Sequence, residues 1–124
     1  MAIAYDIDQA NQIVHVLISD SFSIADIEDT FTAIQADRQF ASSAAVLIDA
    51  REMRRAFFVR EGANLVQVLA SQASHIVGCY AFIIGQDFDP HAGRRFLIQA
   101  RRAGINLQLF RDHASALKWV QLSE

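Results

Sequence analysis

The sequence is poor in residues that form covalent or metal-based cross-links. It contains one cysteine, Cys79, and four histidines among 124 residues. A single cysteine excludes an intramolecular disulfide and a cysteine-built zinc site, and this usage suits a reducing compartment, so we expect a cytoplasmic protein. The histidines show no i, i+4 pairing with one another, and no acid-rich run resembles a calcium loop. We therefore expect no metal site and no cofactor.

Glycines are few and scattered, and long apolar runs are missing. A phosphate-binding loop needs closely spaced glycines that bring backbone amides onto the anion, but the five glycines lie far apart. The longest apolar run, residues 77–85, is far shorter than the ~20 residues that cross a bilayer. Residues 1–6 do not join a basic segment to an apolar one. The sequence therefore predicts no nucleotide motif, no transmembrane helix and no signal peptide.

The chain does have enough apolar material for one core. Hydrophobic residues make up 52% of the sequence and charged residues 20%. Average soluble domains have about 25% charged residues, so this chain can close a core without cross-links, and disorder is excluded as its main state. A length of 124 residues suits one domain, because two domains would each be undersized. We therefore expect a single domain over residues 1–124.

Charge is distributed unevenly along the chain. Residues 1–50 contain eight acidic side chains and one basic one, whereas residues 51–124 contain ten basic and six acidic side chains. Ten of the eleven basic residues are arginine, whose planar guanidinium suits bidentate contacts with carboxylates or phosphates. The two halves predict a molecule with an acidic pole and a basic pole. The net charge of −3 argues against general binding of nucleic acid.

Hydrophobic periodicity predicts alternating strands and helices. Apolar and polar residues alternate over residues 3–18 around a turn, which indicates an antiparallel hairpin. Ser23 begins a helical pattern, with Asp26 three residues later as in a capping box. The other predicted elements are strands at 44–50, 77–85 and 105–110 and helices within 57–73, from Asp89-Pro90 to Gly104 and after Asp112. The order ββαβαβαβα predicts an α/β domain with a mixed sheet, in which the hairpin is followed by alternating helices and parallel strands.

Four short segments carry a family resemblance. They are Asp37-Arg38-Gln39-Phe40, Leu47-Ile48-Asp49-Ala50-Arg51, Leu109-Phe110-Arg111-Asp112 and Ala116-Leu117-Lys118-Trp119. Together they resemble the SpoIIAA-like group of the STAS/SEC14 superfamily, and in particular its small bacterial single-domain members. The resemblance covers nearly the whole chain and lies in turns, strand ends and packing positions. It implies a STAS-type fold and a module that regulates or binds rather than catalyses.

The resemblance also implies two features to compare with this chain. STAS proteins of the anti-sigma antagonist type carry a phosphorylatable serine at the start of the helix after the third strand, but residues 51–58 contain no serine or threonine. The phosphorylation switch is therefore missing from this sequence. Other relatives enclose an apolar pocket for lipid-like molecules. The corresponding candidates here, between the second helix and the sheet, are Phe57, Phe58, Leu65 and Phe82.

The predicted parallel strands bring polar side chains to the edge where their carboxyl ends meet, and ligands of open α/β sheets favour this edge. The candidate rim residues are Asp49, Arg51, Asp87, His91, Arg111 and His113. Each of the two histidines would lie in a first helical turn, where the positive end of the helix dipole disfavours imidazolium and leaves a neutral acceptor or base. A simpler explanation is that Asp89 and Asp112 cap helices and pair with the arginines.

The third predicted helix separates apolar from basic residues. Its basic side carries the candidate interface residues Arg94, Arg95, Ile98, Arg101 and Arg102. An apolar residue ringed by arginines is common in protein–protein contacts, although an ordinary solvated face would also account for the arginines. We favour a homodimer or another protein partner over RNA at this face.

Three functional hypotheses follow. The leading one is a non-enzymatic STAS-like regulatory or protein-interaction module that lacks the phosphorylatable serine. The second is a binder or carrier of a small apolar or lipid-like ligand. The third is an enzyme of unknown type that uses Asp49, Arg51 and a neutral His91 or His113. It is the weakest, because the sequence supplies no recognisable nucleophile or cofactor cradle.

Overall fold

The chain forms strands and helices in the predicted order. The computed structural model describes residues 3–19, 23–52, 55–72, 75–76, 78–85 and 90–122, with the backbone alone for residues 55–61. The elements are β1 (Ile3–Asp8), β2 (Ile13–Ile18), α1 (Ile24–Ala36), β3 (Ala45–Asp49), α2 (Arg55–Ser71), β4 (Tyr80–Ile83), α3 (Pro90–Arg102), β5 (Leu107–Phe110) and α4 (His113–Leu122). This order confirms the predicted α/β domain. None of the described helices is long and apolar enough to cross a membrane.

The five strands form one mixed sheet in the order β1-β2-β3-β4-β5. β1 and β2 pair antiparallel, with Ile3 opposite Ile18, and every other neighbouring pair is parallel. In the centre of the sheet, Phe82 of β4 lies opposite Ile48 of β3 on one side and opposite Leu109 of β5 on the other. The intervening helices return the chain to the same end of the sheet, which parallel pairing requires. The predicted common direction of β3, β4 and β5 is therefore confirmed.

Local hydrogen bonds fix the hairpin and the start of α1. The Asp8 carboxylate accepts hydrogen bonds from the backbone N–H and the side-chain amide of Asn11, at 3.2 and 2.8 Å. Ser23 Oγ accepts from the N–H of Asp26 at 3.2 Å, and Asp26 Oδ2 accepts from the N–H of Ser23 at 2.8 Å. This reciprocal pair confirms the predicted capping box and satisfies two donors that the helix itself leaves unpaired.

The end of α3 depends on a glycine. Gly104 has a φ of 80°, in the left-handed region that residues with a Cβ rarely adopt. The N–H of Ile105 donates to the carbonyl of Ala100, and the N–H of Gly104 donates to that of Arg101, both at 3.0 Å. This Schellman arrangement satisfies the last carbonyls of the helix. The predicted stop at Gly104 is confirmed.

Alternate residues of the strands point to opposite faces of the sheet and form two apolar layers. One layer contains Val46, Ile48 and Phe82 and packs against α1, α2 and α3. The other contains Leu47 and Ala81 and packs against α4. The central strands β3 and β4 are consequently buried on both faces, as their short apolar runs predicted.

The helices cover the two faces unequally. α4 contacts β3, β4 and β5, and no helix in the described parts of the chain lies over β1 and β2 on that face. Leu17 of β2 is consequently 47% exposed. On the other face, α1 lies beside β1, α2 lies in the middle and α3 lies beside β5. The acidic residues of α1 and the arginines of α3 are therefore at opposite ends of one helical layer.

Several element boundaries differ from the predictions. β3 and β5 are shorter than the strands predicted at 44–50 and 105–110. α2 begins at Arg55, two residues before the predicted range, at a position where the sequence offers no capping residue. β4 spans only Tyr80–Ile83, whereas the apolar run predicted a strand over residues 77–85. The run is longer than the strand because Cys79 and Ile84 are buried beyond the paired residues. The buried segment is therefore longer at both ends than the segment that pairs with the neighbouring strands.

Two tyrosines differ in their hydrogen bonding. Tyr80 is 2% exposed and packs edge-on against Phe31, with ring centroids 6.3 Å apart. Its hydroxyl has no hydrogen-bond partner in the described chain, and burial raises the pKa of this phenol. Tyr5 is half-buried, and its hydroxyl donates to the Asp37 carboxylate at 3.1 Å. A buried hydroxyl without a partner carries a desolvation cost that a hydrogen bond would offset.

Removing each hydroxyl should change stability in opposite directions. We expect Tyr80→Phe to raise the free energy of unfolding by about 1 kcal/mol, because phenylalanine keeps the ring and eliminates an unpaired polar group. We expect Tyr5→Phe to lower it by about 1 kcal/mol, because a hydrogen bond is lost. Urea unfolding of the wild type and both variants measures these changes. A destabilised Tyr80→Phe variant would contradict the absence of a partner for this hydroxyl.

Candidate functional site

The structure brings together three of the predicted rim residues, Asp49, Arg51 and His113. Asp49 ends β3, Arg51 follows it, and His113 is the first residue of α4. They meet because β3 and β5 are parallel to β4, so the chain leaves both strands at the same edge of the sheet. This edge is also the one that the open α/β sheet rule favours for a binding site.

Asp49 and Arg51 form a bidentate ion pair. The Nε of Arg51 donates to Oδ1 of Asp49 at 2.9 Å, and Nη2 donates to Oδ2 at 2.7 Å. The backbone N–H of Arg51 also donates to Oδ1, at 3.2 Å. The pKa of the Asp49 carboxyl is lowered, mainly because the Arg51 side chain donates hydrogen bonds to it. The pair therefore holds an oriented, ionised carboxylate at this edge.

His113 is held in place by the start of α4 and stacks on a second histidine. The Asp112 carboxylate accepts hydrogen bonds from the N–H and the hydroxyl of Ser115, at 2.7 and 3.0 Å, so Asp112 caps α4 as predicted. The pKa of the Asp112 carboxyl is lowered, mainly because the backbone N–H of Ser115 donates a hydrogen bond to it. The His113 ring lies 6.1 Å from the ring of His15 in β2, with 12° between the planes. The two imidazoles form one polar wall.

Beside this wall is an open groove of about 310 Å³ on the part of the sheet that α4 does not cover. We call it the sheet groove. Its side chains come from β1, β2, β3 and α4, and they include Ala4, Asp6, His15, Leu17, Leu47, Asp49 and His113. Carboxylates and imidazoles thus surround apolar positions, the combination that small-molecule sites use to fix the orientation of a ligand.

His15 was not among the residues that the sequence predicted for a site. Comparing the histidines at i, i+4 spacing detects partners on one helix but not partners on different strands. A different signal was present, because strand alternation places Ile13, His15 and Leu17 on one face of β2. In the structure, Leu47 of β3 lies opposite His15. The histidine pair could have been found only by combining this alternation with the strand order and the position of α4.

The remaining rim candidates do not join the sheet groove. Arg111 donates from Nη1 to the carbonyl of Gly85 at 2.8 Å and so connects the segments that follow β4 and β5. His91 is exposed in the first turn of α3, as predicted, and is not a lining residue of the sheet groove. Asp87 lies outside the described residues, as does Asp89, the predicted cap of α3. The described rim candidates therefore divide into the group of Asp49, Arg51 and His113, an arginine with a structural contact, and the separate His91.

The exposed side of α3 forms a second candidate surface. Gly93, Phe96 and Ala100 are buried, which confirms the predicted separation of the two sides of this helix. Ile98 is 41% exposed. We call the exposed surface the basic face and define it as Arg94, Arg95, Ile98, Arg101 and Arg102. Within the described residues, none of its four guanidinium groups forms an ion pair.

The predicted apolar pocket falls in a closely packed part of the core. Phe82 packs edge-on against Phe96, with ring centroids 5.4 Å apart. The space that the described side chains leave beside Leu65 and Phe82 is about 10 Å³, at the lower limit of what one water molecule needs. The side chains of Phe57 and Phe58 lie outside the described residues. A lipid-like pocket at these positions stays a prediction.

The described residues contain no group of three or more His, Cys, Asp or Glu side chains arranged to hold a metal ion. Comparison with models of known families and with curated proteins finds no match to this chain. The sheet groove and the basic face are therefore the two candidate functional surfaces of the described residues.

Neutralising Arg51 should raise the pKa of Asp49. The Asp49 carboxyl titrates below its unfolded value of about 3.9, so the stability it contributes is fully present above that pH and is lost as the pH falls through the folded value. We expect Arg51→Gln to move the pKa of Asp49 in the folded state towards its unfolded value. The variant should therefore lose less stability than the wild type as the pH falls. Carboxyl-detected NMR titration measures the pKa, and Asp112 is the internal control because Ser115 holds it. An unchanged Asp49 pKa would contradict the ion pair.

Proposed function

We propose that this chain is a non-enzymatic, STAS-like regulatory module that acts in the cytoplasm by binding another protein through the basic face. The observation that carries the proposal is the exposure of Ile98 at the centre of this face. Two arginines lie one turn before Ile98 and two lie one turn after it, on the same side of α3. An apolar contact residue within a ring of arginines is typical of protein–protein interfaces.

The charge of the basic face selects an acidic partner. Each guanidinium that lacks an ion pair in the described chain has donors for a bidentate contact with a carboxylate. A symmetric homodimer through this face would bring the arginines of both copies together, and like charges would oppose that contact. The predicted homodimer, if it uses the basic face, therefore needs an acidic surface on the second copy.

The element order supports the STAS part of the proposal. The hairpin followed by parallel strands in the order β2-β3-β4-β5 agrees with the fold that the sequence resemblance implies. Residues 51–58, where the anti-sigma antagonist type carries its serine, contain neither serine nor threonine. The module would therefore regulate through occupancy of a surface rather than through phosphorylation at that position.

A second candidate function is binding of a small amphipathic ligand in the sheet groove. The observation that favours it is the combination of exposed Leu17 with the His15–His113 pair and the Asp49 carboxylate around one groove. An apolar part of a ligand would contact Leu17, and a donor group would reach a carboxylate or an imidazole. This site differs from the apolar core pocket that the sequence predicts.

A charge at the centre of the basic face should abolish partner binding. We expect Ile98→Asp to lose at least tenfold in affinity for a protein that the wild type retains from an extract of its native host, because the substitution removes the apolar contact and adds a like charge for an acidic partner. Affinity capture with quantitative mass spectrometry measures retention.

Leu122→Asp is the matched control. Leu122 is 76% exposed on α4, so the same substitution there changes the charge equally without touching the basic face. The control should retain the partner at the wild-type level. If Ile98→Asp and the wild type retain the same proteins equally, the proposal is wrong.

Ligand binding in the sheet groove has its own test. We expect native mass spectrometry of protein purified from its host to show a copurified small molecule, and Leu17→Glu to lower its occupancy by about tenfold, because a carboxylate replaces the apolar contact. Leu122→Glu should keep the wild-type occupancy. A wild-type protein with no bound molecule would exclude this second function.

A further inference from the structure

The basic face has a complementary surface on the same chain. Between the edge strand β1 and α1 lies a groove of about 490 Å³, to which Ile3 and Ala33 contribute apolar surface and Asp26 and Asp29 contribute carboxylates. We call it the acidic groove. Glu28 is also exposed on α1, but it does not line this groove, because consecutive residues of a helix point in different directions. The acidic groove thus combines apolar and anionic groups, as the basic face combines Ile98 with cations.

The carboxylates of the acidic groove are available for a partner. In the described chain, Asp29 has neither an ion pair nor a side-chain hydrogen bond. Asp26 uses one oxygen to accept the N–H of Ser23 in the capping box and leaves the other oxygen outside that bond. Arginine side chains at i and i+3 or i+4 on a docked helix have the reach and the donors to pair with such carboxylates.

The positions of the two surfaces exclude their pairing within one molecule. α1 lies beside β1 and α3 lies beside β5, at opposite ends of the helical layer. The basic face of one copy can therefore meet only the acidic groove of another copy. Such a contact uses different surfaces on the two molecules, so it is heterologous and leaves one free surface at each end.

We infer that copies of this chain associate head to tail, with the basic face of one copy in the acidic groove of the next. This inference rests on the proposed function and names the partner as a second copy of the chain. Ile98 would contact the apolar part of the groove, and the arginines on either side of it would pair with Asp29 and with the remaining oxygen of Asp26. The mode is that of an amphipathic helix in a groove, with charge complementarity that specifies the orientation.

Two neutralising variants test the pairing. Arg94→Gln/Arg101→Gln weakens the basic face, and Asp29→Asn weakens the acidic groove while sparing the capping residue Asp26. All three positions are exposed, so we expect both variants to keep the wild-type circular dichroism spectrum. Sedimentation velocity at about 50 mM salt, where screening is weaker than under physiological conditions, should show wild-type species that grow beyond a dimer with concentration. Each variant alone should associate at least about tenfold more weakly.

An equimolar mixture of the two variants gives the decisive result. The basic-face variant keeps an intact acidic groove, and the groove variant keeps an intact basic face, so one native contact is available per pair. We expect a one-to-one dimer that does not grow further, and salt should dissociate it. A mixture that stays monomeric while the wild type associates would overturn the pairing of these surfaces.

A wild-type chain that stays monomeric at millimolar concentration and low salt would also overturn the inference. The proposed function would then be decided separately by the Ile98→Asp and Leu122→Asp comparison. Loss of a different protein in Ile98→Asp alone would keep the binding function and assign the basic face to that acidic partner. Equal retention by both variants would remove the proposed function as well.

Discussion

The two-sided burial of β3 and β4 is the constraint on which the rest of the structure depends. Both strands are parallel to their neighbours, and alternate residues point into two apolar layers. Phe82 packs under the three-helix layer, whereas its neighbour Ile83 packs under α4. Since a one-residue slip would exchange these two sets, burial on both faces specifies the register. The register in turn places Asp49 and the start of α4 at the same edge.

Unequal covering of the sheet turns this core into surfaces with different chemistry. One helix cannot cover five strands, so α4 leaves β1 and β2 open beside His15 and Leu17. Three helices on the other face place the acidic first turns of α1 and the arginines of α3 at opposite ends of a layer. The uneven charge along the chain therefore becomes a separation in space, which gives the molecule its acidic groove and its basic face.

The sequence predicts the features that depend on local chemistry. Ser23 with Asp26, Asp112 and Gly104 act within a few residues, so the helix ends could be predicted, and helical spacing already placed Ile98 among arginines. The approach of His15 to His113 could not be read from spacing, because it depends on strand order and on how far α4 extends over the sheet. The acidic groove was missed for the same reason, since it joins an edge strand to a helix that follows a different strand.

Cross-strand nuclear Overhauser effects between assigned residues test the central claim most directly. The account predicts parallel-strand contacts that connect Phe82 to both Ile48 and Leu109, together with a contact between the rings of His15 and His113. The first set reports the register of the doubly buried strands, and the second reports the edge at which the candidate site residues meet. Antiparallel contacts between any two of these central strands would contradict the account, and so would imidazole rings that lie far apart.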